Sequence, residues 1–273
     1  MALGTDRLVR RMLGKAKALA VPVPLDPDAP VMPVLDFARA AGIEPDEWQA
    51  AVLASEARKH LLLCSRQAGK STVASLLASY EAAFNPGSLT LMLAPSLRQS
   101  SELFRTTMGV LRTVESIVPA VASESALRVE LVNGSRIVAL PGSSENTRGY
   151  AGCSLLIVDE ASRVPDELLV AVRPAQATKR GARIVALSTP AGRRGWFYLE
   201  YIGGTGWRRE TIKAADCARI SPEFLADELR SLGPSVYEQE YCCEFSANES
   251  NVFASEMVER ALSPDVLPLW SLT

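Results

Sequence analysis

The chain has 273 residues, 48% of them hydrophobic and 22% charged, enough for one large domain or two small ones with a self-sufficient core. With 29 Lys and Arg against 31 Asp and Glu the net charge is −2, which excludes a polycation; any nucleic-acid contact must use a local patch or a ring of subunits. Five scattered cysteines without a C-x-x-C pair, and a single histidine, argue against a zinc finger or a disulfide framework and fit a reducing compartment.

In chain order, residues 1–33 read as peripheral. Five basic residues between Arg7 and Lys17 interrupt any signal-peptide core, leaving a solvated amphipathic helix or a contact arm for a partner or DNA. Five prolines in VPVPLDPDAPVMP then forbid regular structure and predict an extended strap. From Val34 the pattern changes. HLLLC (His60–Cys64), LTLML (Leu89–Leu93), LLIV (Leu155–Val158) and IVAL (Ile184–Leu187) are continuous apolar runs, as strands buried on both faces of a parallel sheet are. Helical stretches alternate with them at Lys70–Ala83, Gln99–Val114 and Pro165–Val172, the last with proline in its first turn. Leu127–Leu131 and Arg136–Leu140 flank Asn133-Gly134, a hairpin signal that predicts an antiparallel addition at a sheet edge. After Gly206, a strand at Trp207–Ile212 and helices at Pro222–Leu232 and Ser235–Tyr241 suggest a small lid or linker subdomain. The expected division is therefore an arm and strap at 1–33, a core at 34–206, a lid at 207–250 and a further linker at 251–273. No apolar run reaches the roughly 18 residues of a membrane span.

The sharpest chemistry lies at Cys64-Ser65-Arg66-Gln67-Ala68-Gly69-Lys70-Ser71-Thr72, between an apolar strand and a helix. It keeps the second glycine, the lysine and the hydroxyl of G-x-x-x-x-G-K-[ST] but has Cys64 at the first glycine. Gly69 permits a turn whose N–H groups face phosphates, and the helix N-terminus adds partial positive charge. Lys70 can reach the β- and γ-phosphates of ATP, and the Ser71 hydroxyl can ligate Mg2+. Leu155–Glu160 is an apolar strand ending in two acids; Asp159 there can hold Mg2+ through water and Glu160 can take a proton from the attacking water. A capping role for the two acids is the plainer alternative.

Taken in order, Ser65–Ser71, the LLIVDEA strand and Leu187-Ser188-Thr189-Pro190 resemble the ATPase domain of large terminase subunits, the DNA-packaging motors of tailed phages. The resemblance runs from about Trp48 to Phe245, and the arginine-containing loop without its first glycine is that family's usual form. It implies an ASCE/RecA-like P-loop NTPase fold, an α/β sheet flanked by helices, and ATP hydrolysis that drives double-stranded DNA into a capsid. By the same resemblance Gln49, in Pro45–Gln49, reads adenine; a surface glutamine beside a core tryptophan is its plainer reading. Arg148, in Thr147–Tyr150, resembles a trans-acting arginine, with Arg66 as the competing candidate in cis. Ser188 and Thr189 resemble a coupling motif, although a strand-ending turn accounts for them equally from chemistry alone. The segment Leu93 through Gln99 either lines the site or is a simple turn. Family resemblance further implies a homo-oligomeric ring, a portal protein and a small terminase subunit as partners, the cytoplasm of an infected bacterial host, and no membrane. Full-length members continue into a nuclease domain, and no nuclease activity is expected from these residues. Rival readings are a helicase-type nucleic-acid remodelling ATPase, which normally carries two motor domains, and a nucleotide-gated assembly module without turnover, against which Glu160 argues.

Overall fold

A computed structural model describes residues 31–140 and 149–246. The expected arm, most of the strap and the 251–273 linker lie outside the described residues. Two short helices, α1 (Val34–Ala40) and α2 (Glu47–Leu53), lead into β1 (Lys59–Cys64), α3 (Lys70–Phe84), β2 (Leu89–Leu93) and α4 (Leu97–Thr113). There follow β3 (Val121–Glu124), β4 (Arg128–Leu131), β5 (Arg136–Leu140), β6 (Leu155–Asp159), α5 (Asp166–Val172), β7 (Arg183–Ser188), α6 (Gly195–Gly203), β8 (Arg208–Ile212), α7 (Pro222–Leu232) and α8 (Pro234–Cys242).

One eight-stranded sheet runs β3-β4-β5-β2-β6-β7-β1-β8. From β5 to β8 all pairs are parallel. Successive residues of a strand point to opposite faces, so the continuous apolar runs feed two cores at once. Leu62, Met92, Ile157, Val185 and Leu187 meet α3 and α4 on one face. Leu61, Leu63, Leu91, Leu156, Val158 and Ala186 meet α5 and α6 on the other, with Trp196 and Phe197. Helix α3 is apolar nearly all round, with Val73, Ala74, Leu76, Leu77, Ala78, Ala82 and Ala83 buried, because it is sandwiched between the sheet and its neighbouring helices.

The hairpin is present: Arg128 pairs with Val138 and Glu130 with Arg136 across the Asn133-Gly134 turn. Two differences from expectation have simple causes. Strand β3 adds a further antiparallel strand at the edge; its four residues are exposed, so no apolar pattern marks it. Strand β8, expected as the start of the lid, is hydrogen-bonded to β1 as the last parallel strand of the sheet. Its outward residues Arg208, Arg209 and Thr211 are exposed because β8 is an edge, and this masks its membership in the core. Pro165 caps α5 instead of entering its first turn. No described helix is long and apolar enough to cross a membrane.

Candidate nucleotide site

The carboxyl ends of β1, β6 and β7 share one edge of the sheet, where open α/β sheets take their ligands. Strand β7 lies between the other two, so the loop after β1, the acids after β6 and the hydroxyls after β7 converge.

The loop explains its own departure from the common motif. Cys64 is still in β1, in register with Ile212 of β8, so its backbone is extended and accepts any side chain. The positive-φ positions come later, at Gln67 (φ 61°) and Gly69 (φ 93°). The φ of Gly69 favours glycine, and a Cβ there would sit 2.6 Å from the Gln49 amide nitrogen and 2.9 Å from an Arg219 guanidinium nitrogen, displacing the ends of both side chains. The Ser65 and Arg66 N–H groups are engaged by Ile212 O (2.8 Å) and Glu240 O (2.9 Å). Gly69 caps α3 without a side-chain hydrogen bond, which leaves the first-turn amides of Lys70, Ser71 and Thr72 aimed out of the helix end. Ser65 and Ala68 are buried beneath the loop; Arg66, Gln67 and Ser71 are exposed, and Gly69, Lys70 and Thr72 are half-buried.

The two corners meet. Lys70 Nζ lies 3.7 Å from Glu160 Oε1 and donates to Ser65 O at 3.4 Å. Glu160 itself sits in the left-handed region (φ 47°), a strained conformation for a non-glycine residue at the turn that ends β6. Asp159 is buried, and its Oδ1 has no hydrogen-bond partner among the described residues. Burial, reinforced by the Glu160 charge, raises its carboxyl to about 6. A buried carboxylate oxygen with nothing to accept from, one residue before Glu160, has the chemistry of a ligand for a hard cation.

Ser188 and Thr189 are linked to the turn after the acids through Ser162 and Arg163. Ser162, in the 3-10 turn after Glu160, shares a 2.6 Å contact with Ser188 Oγ and donates to Thr189 O at 2.8 Å. Arg163 in the same turn donates from Nη1 to Glu160 Oε2 and to Thr189 Oγ1, each at 2.8 Å. A cleft of about 380 Å3 opens between these groups, lined by Arg66, Gln67, Lys70, Gln99, Glu160, Arg163 and Thr189. Gln99 therefore lines the site, through the helix start capped by Ser96.

Gln49 is buried, not a surface residue. Its Oε1 accepts from Asp46 N–H at 2.9 Å and its Nε2 donates to Gly69 O at 3.4 Å, so it braces the loop from below. Arg219 braces the same turn through Asp46 (2.6 Å) and Ala68 O (3.0 Å). Arg66 points away from the loop to Glu240 of α8, Nε to Oε2 at 2.7 Å. Arg148 lies outside the described residues. Sequence reading missed Ser162, Arg163, Arg219 and Glu240. The first two follow the DE pair within three residues and were open to inspection; the other two come from the C-terminal segment, 151 and 174 positions from their loop partners Ala68 and Arg66, with no local signal.

Comparisons with known proteins bear on this geometry. The family model for "Terminase large subunit, T4likevirus-type, N-terminal" matches residues 61–260. The terminase large subunit of Thermus virus P23-45 is 26% identical over 257 residues, covering 80% of this chain and 52% of that protein. The chain thus spans about half the length of the curated relatives it matches. The solved ATPase domain of the Thermus phage P74-26 large terminase superposes with a TM-score of 0.69 at 25% identity, covering 80% of this chain and 100% of that one. The large terminase of bacteriophage D6E, solved in complex with ADP, has a TM-score of 0.58 at 16% identity, with 74% of this chain and 54% of that chain covered; it supports the fold alone. The fold is thus that of a P-loop NTPase, and the chain belongs to the T4-like-virus type of terminase large subunits, matching their N-terminal region.

Proposed function

We propose that this domain is a Mg2+-dependent ATPase that drives double-stranded DNA into a viral capsid. The observation that carries the reading is the approach of Lys70 to Glu160 at 3.7 Å, beside the unpartnered Asp159 oxygen. In the family, the D6E large terminase has been solved with ADP and with ATP-γ-S, which supports a nucleotide as ligand here.

Each residue's part follows from its chemistry. Backbone amides from Gln67 to Thr72 and the Lys70 ammonium hold the phosphates and offset their charge. Ser71 and Asp159 would hold Mg2+, which would supply charge neutralisation at the phosphoryl oxygens. Glu160 accepts the proton of the attacking water; Arg163 and Lys70 hold its carboxylate in the wall of the cleft. Thr189 and Ser188 link that turn to β7 through Ser162 and Arg163, a route by which the state of the γ-phosphate reaches the sheet. Gln49 acts on adenine only if it turns out from its present bonds to Asp46 and Gly69, and otherwise serves as a brace. Helices α7 and α8 serve as the lid. Arg148 of one subunit completes a neighbour's site in a homo-oligomeric ring around DNA, with the portal protein and small terminase subunit as further partners, in the cytoplasm of an infected bacterium.

The test is steady-state phosphate release with Mg-ATP. Glu160→Gln is expected to lower turnover by about 100-fold or more while ATP-γ-S binding persists, since proton acceptance is lost but phosphate contacts remain. Lys70→Ala is expected to lose binding as well. Turnover unchanged in Glu160→Gln would remove hydrolysis from the reading.

A further inference from the structure

The nucleotide cleft stands on the carboxyl ends of β1 and β7. The amino ends of the same two strands, with that of their neighbour β8, carry a second concentration of charge. Arg58 and Lys59 lead into β1, and Arg208 opens β8. Arg183 opens β7 behind a turn that bears Lys179 and Arg180, closed by Ala182 N–H on Lys179 O at 3.3 Å. Ile184 N–H donates to Arg58 O at 2.8 Å, so the segments before β1 and β7 lie side by side. Arg183 and Arg208 reach in from either side of β1 to one residue. Arg183 Nη2 donates to Ser55 O at 3.2 Å, and Arg208 Nη1 donates to Ser55 Oγ at 3.1 Å.

The acids nearby do not balance this charge. Glu210 pairs with Arg208 at 2.8 Å, Glu81 offsets Arg183 through its charge, and Glu56 is exposed beside Ser55. Among the described residues, only Arg208 of the six cations forms a salt bridge. Lys59 instead lies over the Trp207 ring, 5.6 Å from its centroid. By contrast Arg39, Arg112 and Arg128, also on the surface, each sit in an ion pair. The excess is felt in the interior as well. His60 is fully buried and neither of its ring nitrogens has a well-placed hydrogen-bond partner among the described residues; Arg183 Nε is likewise buried and unpartnered. Burial, then the charges of Arg183 and Arg208, push the imidazole down to about 4. Open cations above buried donors suit an anionic partner.

The dimensions select the anion. Strands lie about 4.8 Å apart, so the row from β7 to β8 is about 10 Å long. One strand of DNA carries a phosphate every ~3.4 Å along the helix axis, so about three phosphates face that row. Guanidinium forks match phosphate oxygens in pairs. We propose that the amino-terminal edge of β7, β1 and β8 is a DNA-backbone contact, in which Arg58, Lys179, Arg180, Arg183 and Arg208 take successive phosphates of a duplex at the end of the sheet opposite the nucleotide. The inference takes its polyanion from the DNA-packaging reading and gives it a surface. The six residues of β1 hold the two sites about 17 Å apart, so both ligands bind at once.

The experiment titrates the full chain with a short fluorescent DNA duplex over a range of salt. Lys179→Glu with Arg180→Glu is expected to weaken binding about tenfold, and to lower the slope of log affinity against log salt by about 2, close to one per lost phosphate contact. Arg58→Glu, in the neighbouring segment, is expected to weaken binding about threefold. Arg39→Glu with Arg230→Glu changes net charge as much as the first pair and is expected to bind nearly as wild type does. ATP-γ-S binding is expected to be unchanged in all three. His60 is the chain's only histidine, so its ring resonance reports on this edge: duplex DNA is expected to shift it, and polyglutamate is not. Equal losses in the patch and control pairs, or a histidine resonance indifferent to bound DNA, would overturn the inference and leave DNA packaging standing. So would polyglutamate that displaces the duplex at equal charge, which would point to an acidic protein segment instead. A wild-type chain that hydrolyses ATP yet binds no duplex at low salt would overturn both.

Discussion

Two buried titratable side chains at opposite ends of the sheet act against each other in acid. Burial, then the charges of Arg183 and Arg208, lower His60 to about 4. The folded state keeps it neutral, so its contribution is intact above the ordinary histidine value of 6.5 and is lost as pH falls toward 4. Asp159, raised to about 6, works the other way: the cost of its buried charge is present above 6 and disappears as pH falls toward 3.8. Each shift corresponds to about 3 kcal/mol, so between pH 6.5 and 4 the two largely offset one another in the Mg-free, nucleotide-free chain. Asp159→Asn is expected to steepen the fall of Tm with acid relative to wild type, and His60→Leu to flatten it or reverse it; thermal melts across that pH range check both. The meeting of Lys70 with the Asp159–Glu160 tip at one sheet edge was legible because residue types at loop and strand ends announce their chemistry locally. Glu240 and Arg219 were not, because a single acid or arginine in a polar helix or loop carries no mark of the distant loop it touches.

At the level of elements, strands buried on both faces and the Asn133-Gly134 hairpin were readable because each obeys a short-range rule. The hairpin does more than turn the chain. Asn133 Nδ2 donates to Ala82 O at 2.9 Å, and its Oδ1 accepts from Ser135 N–H at 3.0 Å. The turn thereby supplies a donor to a carbonyl in the last turn of α3, the helix whose other end holds the phosphate loop. Asn133→Ala leaves that carbonyl and the Ser135 N–H without their partner and is expected to cost about 1–2 kcal/mol in denaturant unfolding, with nucleotide binding unchanged in the surviving folded chain. Strand β3 and the place of β8 escaped reading for one reason: edge strands show their outward residues to water, so neither alternation nor a continuous apolar run survives in their sequence.

At the level of the whole molecule, several exposed arginines already have partners within the chain. Arg208 pairs with Glu210, Arg209 bonds to Glu200 O, and Arg193 bonds to Phe245 O. Near-neutral charge and engaged arginines favour many weak phosphate contacts spread over several subunits rather than tight binding by one. Mixing Arg148→Ala chains with Glu160→Ala chains tests the proposed ring: each kind is expected to be inactive alone and the mixture to recover part of the ATPase rate, as the proposal that one subunit supplies the arginine and its neighbour the base requires. Mixtures without recovery would count against Arg148 acting across an interface. The position of β7 bears on how such a machine works. It is bonded in parallel to β6 on one side and to β1 on the other, five positions on each. A strand so clamped cannot slide by itself, so the sheet behaves as a stiff plate, and the motion that the proposed activity requires falls to the pieces at its rim: the 3-10 turn after Glu160 and the pair of helices that follow β8.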